Sequence, residues 1–513
     1  MLYQHRIEKS LPRLLNLGCL DLRGKSYGSF DRNFWHLRQR DFSTSTAQMA
    51  ALPLMRSSYY QNDGLRDFLH HSLLFLEKIQ HRNGSFDEWY PNEKGWGGPT
   101  SYLLDFIART YIEFHQELPL DVCESLLRVI RKASSFTIKG WERDVLFNHV
   151  ALSTLALEGV HKIDSSIVKS QDLLIAKNWL ERHFCQDEGW GSEYGQADPG
   201  YQSATVSFLA KAHQLRADDF YRDLCLGSLD FMQYFHFPDG SYAHGIGARE
   251  TSCLFDFGVQ YWSAESKVAA ALAQSAQEMK CGLDETALDD HYFVYRMLEI
   301  SDSAQLPFIH RDTSISSQSY MGRKYIEQAN ILVLGSEEKY SVCNLSKGLA
   351  LIEFDKKRTK FSRFDYGVMV EESGRLYSSF VSESPAKIEL TEDKIIGLIP
   401  LYEVKANNFR PATNLIFRLL MMTLGLSSKA SYLLKTLIRS MMTTRNRRSG
   451  ATLLRRVTLQ NNCIVSVDDD LSEFKSGARI YQHGILENRY VPQSKYQSHT
   501  KLSYLPSIKV EKS

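Results

Sequence analysis

The sequence predicts an α+β multidomain chain, an N-terminal α/α-toroid of helical hairpins followed by an antiparallel β-sandwich. Three observations predict it. From about 44 to 298 apolar residues recur at three- and four-residue spacing, Gly-plus-aromatic turns punctuate that pattern, and after about Leu306 the runs shorten to strand length. The chain has 513 residues, 43% of them hydrophobic, which suits two or three domains that each bury a core.

Residues 1–43 read as an N-terminal extension. Its start, MLYQHRIEKSLPRLLNLGCLDLRGKS, lacks the roughly 7–15-residue apolar stretch of a secretory signal. The expected location is therefore cytoplasmic, or peripheral to the inner membrane. Segments such as GLRDFLHHSLLFLEKIQ, SYLLDFIARTYIEF, DVLFNHVALSTLAL and SATVSFLAKAHQL supply the helices of a toroid over 44–300. The turns at Gly84 (NGSFDEWY), Gly140 (KGWERD), Gly189 (EGWGSEY) and Gly240 (DGSYAHG) are spaced 56, 49 and 51 residues apart. Such a period fits one hairpin of two helices and their connections, and recurrence at fixed period marks a repeat array. After a linker near 299–310, runs such as ANILVLGS, LALIEFD, KIIGLIPLYEV and NCIVSVDD read as strands of a sandwich over 306–490. A basic helical insertion, about 411–448, starts at Pro411, and 491–513 is a polar tail.

The net charge of +1 conceals an asymmetry. Residues 404–467 hold eleven Lys or Arg and no acid, which leaves 50 basic against 60 acidic side chains elsewhere. Balance over the whole chain excludes a globally basic nucleic-acid binder. The local excess, Arg418 to Arg456 interleaved with Leu, Ile and Met, suits peripheral contact with an anionic membrane, an anionic glycan, or a solvated helix packed on the sandwich. The most apolar run there, Leu415 to Leu426, has twelve residues and includes Arg418, against about 20 for a membrane span. Eight scattered cysteines with no C-x-x-C pair point to reduced thiols, with neither a zinc site nor a disulfide framework.

Repeats bring equivalent positions to one rim, so residues one period apart are candidates for one site. Asn148 and His149 follow the second turn, Tyr201 lies 52 residues beyond His149, Arg249 lies 48 beyond that, and one period back stand Trp96, Gly97 and Gly98. An aromatic face, an amide–imidazole pair, a phenol and a guanidinium at one register suit an anionic carbohydrate. Each residue also has a plain structural reading. Asn148 and His149 could be a satisfied polar pair, Tyr201 the anchor of a helix start, and Arg249 with Glu250 an ion pair. Trp96 and Trp190 could pack hairpin against hairpin.

The segments FNHVALSTLAL, DEGWGSEYGQADPGYQSATVSFL and FPDGSYAHGIGARETSCLFDFG, with the opening YGSFDRNFWHLRQRDF, resemble the heparinase II/III-like polysaccharide lyases, over roughly 27–480. The opening resembles relatives found among bacterial surface-polysaccharide genes. The resemblance implies β-elimination at a uronic acid of an acidic polysaccharide; because the histidine motif that can bind metal in this family is missing here, no cofactor and no bound zinc are expected. It assigns Asn148 and His149 to neutralising the carboxylate and Tyr201 to proton transfer; Arg249, His244, Trp96, Glu193 and Trp190 are the candidates for substrate binding. Removing the C5 proton requires that its carboxylate be neutralised by preorganised donors. A phenol with an ordinary pKa of about 10 needs a cation beside it, and Arg249 or His244 is expected to supply one. The sequence departs from the pattern in two places: SVCNLSKGLALIEFDKKRTKFSRFDYG contains no histidine, and Gln202 follows Tyr201 where a histidine is common. His244, His310 and His483 are the candidates to substitute. Two alternatives stand beside the lyase. One is a catalytically inactive glycan-binding or assembly protein of a surface-polysaccharide pathway. The other is a toroid glycoside hydrolase using Glu193 with Asp198 or Glu250.

Overall fold

In the computed structural model of the protein, the described residues are 2–24, 26–30, 45–88, 90, 92–94, 97–140, 146–281, 285, 288, 290–307, 314–381, 386–404, 411–439, 448–472, 478–485, 500–504 and 509–511. The helical half comprises α1 (Leu2–Asn16), α2 (Ala51–Met55), α3 (Asp63–Ile79), α4 (Gly97–Phe114), α5 (Leu120–Thr137), α6 (Phe147–Ile163), α7 (Ser170–His183), α8 (Pro199–Leu215), α9 (Asp219–Met232), α10 (Asp256–Tyr261), α11 (Lys267–Gln277) and α12 (Asp290–Ser303). Along one layer α4 packs on α6, α6 on α8, α8 on α10 and α10 on α12. The 3-10 helix Ser45–Ala50 then packs on both α12 and α4, so the layer closes into a ring. Helices α5, α7, α9, α11 and α1 back it from outside.

Sequence decides which helix goes where. In α6 almost every side chain from Phe147 to Val160 is buried, as befits a helix covered on all sides. In α5 Val122, Leu126, Val129, Ile130 and Ala133 make one buried stripe, while Arg128 on the opposite face pairs with Glu77 of α3 at 2.9 Å. The ring is tied internally by charge. Asp302 of α12 receives Arg56, which follows α2, at 2.8 Å, Lys211 of α8 at 2.6 Å, and Arg109 of α4. Lys211 also pairs with Glu299 of α12 at 2.6 Å. Three cations hold the buried Asp302 carboxyl well below its ordinary pKa, against the upward push of burial.

The turns take the conformation their glycines allow. Gly84, Gly140, Gly189 and Gly240 all have positive φ. A Cβ at Gly189 would stand 2.0 Å from the Gly227 carbonyl oxygen of α9, and one at Gly84 would stand 2.0 Å from that of Lys132 in α5. Each of these two turns therefore lies on the outer helix of the following hairpin, where only glycine fits.

A two-residue pair, β1 (Phe184–Cys185) and β2 (Trp190–Gly191), flanks the Gly189 turn, and a short α13 (Ser316–Ser319) precedes the sheets. Strands β3 (Gly322–Ile326), β4 (Ile331–Gly335), β5 (Lys339–Asn344), β6 (Ala350–Asp355) and β7 (Lys360–Asp365) form an antiparallel meander in that order. The second sheet contains β8 (Val368–Glu372), β9 (Arg375–Ser378), β10 (Lys387–Leu390), β11 (Lys394–Val404), β12 (Arg448–Gln460), β13 (Cys463–Ser472), β14 (Arg479–Ile485), β15 (Thr500–Tyr504) and β16 (Lys509–Glu511). Its order is β15-β14-β8-β9-β11-β12-β13-β16, with β10 also on β11, and only the β13–β16 pair is parallel.

The meander is covered on both faces. Ile331 and Val333 of β4 join the core of the helical half, whereas Leu332 and Leu334 join a second core with Ile399, Leu453 and Val457 of the other sheet. Burial on both faces is why ANILVLGS reads as a continuous apolar run. Between β11 and β12 the chain inserts α14 (Pro411–Thr423) and α15 (Ser428–Arg439).

The basic segment does not form one positive surface. Arg455 lies on β12, fully buried, with Asp365 at 3.0 Å and Asp469 at 2.7 Å, and Arg456 beside it pairs with Asp470. Antiparallel pairing of β12 with β13 sets each arginine opposite an aspartate, so two of the eleven cations are already neutralised. Arg445 and Arg447 lie outside the described residues.

Two measurements test this architecture. Asp302→Ala removes the carboxylate shared by three cations, each of which keeps one other partner (Glu113, Asp105 or Glu299), and is expected to cost about 2–4 kcal/mol in urea unfolding. Gly189→Ala forces a left-handed alanine onto a backbone oxygen and is expected to cost about 2–3 kcal/mol in the same assay.

Candidate functional site

The rim of the ring that faces the meander gathers most of the candidate residues, and Asp198 is its junction. Asp198 caps α8: its Oδ1 accepts from the Tyr201 backbone N–H at 2.9 Å, and its Oδ2 accepts from that of Arg249 at 2.7 Å. Pro199 at the first helical position fixes the entry to the helix. One buried carboxylate thus holds Tyr201 and Arg249, 48 residues apart in sequence, against each other. The side chain of Arg249 lies over the Tyr194 ring, 4.5 Å from its centroid. Its Nε is buried without a hydrogen-bond partner among the described residues.

Asn148, in the first turn of α6, reaches the same loop. Phe147 N–H donates to Ser192 O at 3.2 Å, and Asn148 N–H donates to Glu193 Oε1 at 2.8 Å. Glu193 is buried, and that burial pushes its carboxyl up to about 8 against the pull of the neighbouring Asn148. At neutral pH Glu193 is therefore protonated. Asn148 Nδ2 lies beside Glu193 yet makes no well-formed hydrogen bond among the described residues, and Glu193 Oε2 is likewise without one. Asn148 and Glu193 face each other as one buried polar pair, and Arg249 Nε stands on the same loop.

Tyr201 is half-buried in the first turn of α8. Burial raises its phenol well above the ordinary value, and Arg249 is the group that pulls it back. The hydroxyl is neutral at rest. Of the two cations expected beside it, Arg249 fills that place. His244 does not: it is set among Phe237, Phe361 and Phe364 at centroid distances of 5.1, 4.6 and 5.2 Å, with Nε2 hydrogen-bonded to Ser241 Oγ at 2.6 Å. Burial lowers its imidazole to about 4, so it is an uncharged part of the joint between the halves of the protein.

His149 looks toward the preceding hairpin. Its ring lies against Gly98, where a Cβ would stand 2.6 Å from Cε1, and it borders a small, partly open recess with Phe136, Thr137 and Ala176. Asn148 and His149 thus serve two adjoining sides of the rim. Trp190 is buried, donates Nε1–H to Glu188 at 2.8 Å and packs toward Phe231, which corrects its expected role as a stacking face for substrate. Trp96 and His310 lie outside the described residues, as does the side chain of His483 on β14.

The carboxylates expected of a hydrolase are committed elsewhere. Asp198 spends both oxygens on backbone donors, and Glu250 pairs with Lys347 at 3.2 Å. Lys347 is the residue that sequence reasoning missed. It sits in the turn between β5 and β6, is buried, and donates to the carbonyls of Gly247 and Ala248 at 2.9 and 3.3 Å. Nearby, Asn344 Nδ2 donates to Ile246 O and Tyr366 Oη to His244 O, both at 2.7 Å. The meander therefore grips the loop that carries Arg249. Nothing in SKGLAL marks this lysine, because its partners lie about 100 residues away. Tyr194, with φ 56° between Glu193 and Gly195, left only its odd backbone as a trace.

Neither a protein-family profile nor a curated protein matches the chain. Solved structures are similar to it at low identity. A heparinase III is 10% identical over 90% of this chain and 69% of its own, with a TM-score of 0.45. A mutant chondroitin AC lyase of Streptomyces coelicolor is 10% identical over 78% of this chain and 67% of its own, TM-score 0.44. An α-1,6-mannanase of Salegentibacter sp. is 13% identical over 60% of this chain and all of its own, TM-score 0.41. Likenesses at this level say nothing of the site, whose case rests on its own geometry.

The raised carboxyl of Glu193 gives a test of that geometry. A group whose pKa is higher folded than unfolded contributes stability below its unfolded value and loses it as pH rises through the folded one. Glu193→Gln removes this term. The variant is expected to melt near the parent temperature at about pH 4 and above it at about pH 9, by calorimetry.

Proposed function

We propose that the chain is a polysaccharide lyase-like enzyme, with the α/α-toroid and β-sandwich of that class, that cleaves a uronate-containing acidic glycan by β-elimination. One observation carries the reading: the Tyr201 phenol, the Arg249 guanidinium, whose buried Nε makes no hydrogen bond among the described residues, and the Asn148 amide stand around the Glu193–Asp198 loop. In the reaction the C5 proton leaves, its electron pair forms the C4–C5 double bond, the C4–O bond breaks, and the departing oxygen takes a proton. Asn148 offers Nδ2 to the uronate carboxylate, with Glu193 beside it, held neutral by burial, adding no repulsion. His149 borders the same rim on the side of the preceding hairpin. Neutralising the carboxylate lets charge from C5 flow into it, which a water-poor setting strengthens. With substrate bound, Arg249 stabilises Tyr201 as a phenolate, its proton passing to solvent; the phenolate takes the C5 proton, and the phenol so formed gives that proton to the departing oxygen.

The second reading, a glycan-binding protein without turnover, is favoured by one observation. The stretch 341–367 of the meander carries no histidine, and the cation it brings to this loop, Lys347, is bound to Glu250 and to two backbone carbonyls. Incubation with a panel of uronate polysaccharides separates the two by the absorbance of unsaturated uronate. The lyase reading expects signal on at least one member and a loss of at least about 100-fold in Tyr201→Phe. Binding without signal on any member, or full activity in Tyr201→Phe, sinks it.

A further inference from the structure

The insertion between β11 and β12 is amphipathic the wrong way round for a solvent-facing hairpin. Its underside is seated on the loop that leads into α4. Phe417 meets Tyr90 with ring centroids 5.1 Å apart, Asn92 Nδ2 donates to Met421 O at 3.1 Å, and Lys94 Nζ donates to Leu426 O at 2.7 Å. Ser431 Oγ of α15 donates to Asn92 O at 2.6 Å. With Phe417, Met421 and Gly425 on that side, the outward side carries Leu415, Ile416, Leu419 and Leu424 from the first helix and its end, then Leu426 and Leu433. Leu415 is 61% exposed, Leu419 56% and Leu433 68%. Apolar side chains of this size scattered singly are ordinary; a contiguous set on one hairpin marks a surface that something covers.

Charge selects what covers it. The same hairpin carries the partly exposed Arg418 and the exposed Lys429, and the sequence from 404 to 467 contains no acid. A second copy meeting the first through the same face would bring these cations together, whereas an anionic lipid surface neutralises them. The two helices have 13 and 12 residues, and no helix among the described residues is long and apolar enough to cross a membrane. We propose that the α14–α15 hairpin is a docking element that lies in the headgroup region of an anionic lipid surface, leucines inward and cations toward the phosphates. This inference is independent of the catalytic reading. It rests on apolar exposure, because Arg455 and Arg456, which the charge run alone would enlist, are bound to aspartates. The hairpin sits on Tyr90, Asn92 and Lys94, a few residues before the Gly98 against which His149 rests, so docking would hold that rim of the site at the lipid surface.

Sedimentation of the full chain with vesicles tests it. The parent is expected to pellet with phosphatidylcholine–phosphatidylglycerol vesicles and about tenfold less with phosphatidylcholine alone. Leu419→Glu with Leu433→Glu, checked for unchanged circular dichroism, is expected to lose about tenfold in binding. Lys429→Glu, which leaves the apolar side chains in place, is expected to weaken it several-fold. A parent that stays in the supernatant with the anionic vesicles overturns the proposal. So does a double variant that pellets like the parent, or a parent dimer that the double variant dissolves, which would make the face a contact between copies.

Discussion

Arg56, Arg109 and Lys211 come from three separated stretches of the helical half, and all three end on the carboxylate of Asp302. Buried ions stay charged only when they are paired, so these partners must be brought together whenever the chain folds. Meeting at Asp302 requires that α12 return to α4 and α8, which is the closure of the ring. The buried segment Ser45–Ala50 closes the same seam with apolar contacts, so charge and packing act together there. Everything on the rim inherits its position from that closure.

The site repeats this logic on a smaller scale. Asp198 is also a buried carboxylate, but it is satisfied by backbone N–H groups of Tyr201 and Arg249 rather than by cations. It therefore fixes two chain segments without neutralising either side chain, and leaves the guanidinium to act on the phenol. The meander completes the arrangement from the other side through Lys347, Asn344 and Tyr366, each bonded to the loop at 244–250. The site draws on both halves: the helical rim supplies the polar groups, and the sheet holds one of its loops in place.

Much of this was legible in the sequence, for stated reasons. Gly84, Gly140, Gly189 and Gly240 announced the period because their positive φ is a backbone need that glycine meets. Asn148, Tyr201 and Arg249 were found by register, since one hairpin period returns the chain to the same rim. Trp190 misled because an aromatic beside a glycine turn serves packing as readily as stacking, and His244 misled because its three phenylalanine neighbours lie partly in the meander. The run of cations between 404 and 467 was a true count but a false surface: β12 carries Arg455 and Arg456 into pairing with β13, and strand register is invisible in composition.

The sequence by itself determined the order of helical and strand-forming segments, the hairpin period and the rim on which the candidate residues stand, because these follow from local periodicity and backbone conformation. Only the tertiary structure decided the charge states and the partners. The neutral carboxyl of Glu193, the uncharged His244, the buried Lys347 and the outward leucines of the inserted hairpin all depend on what lies across space. Desolvation and pairing act between residues tens to hundreds of positions apart, and no local pattern encodes them.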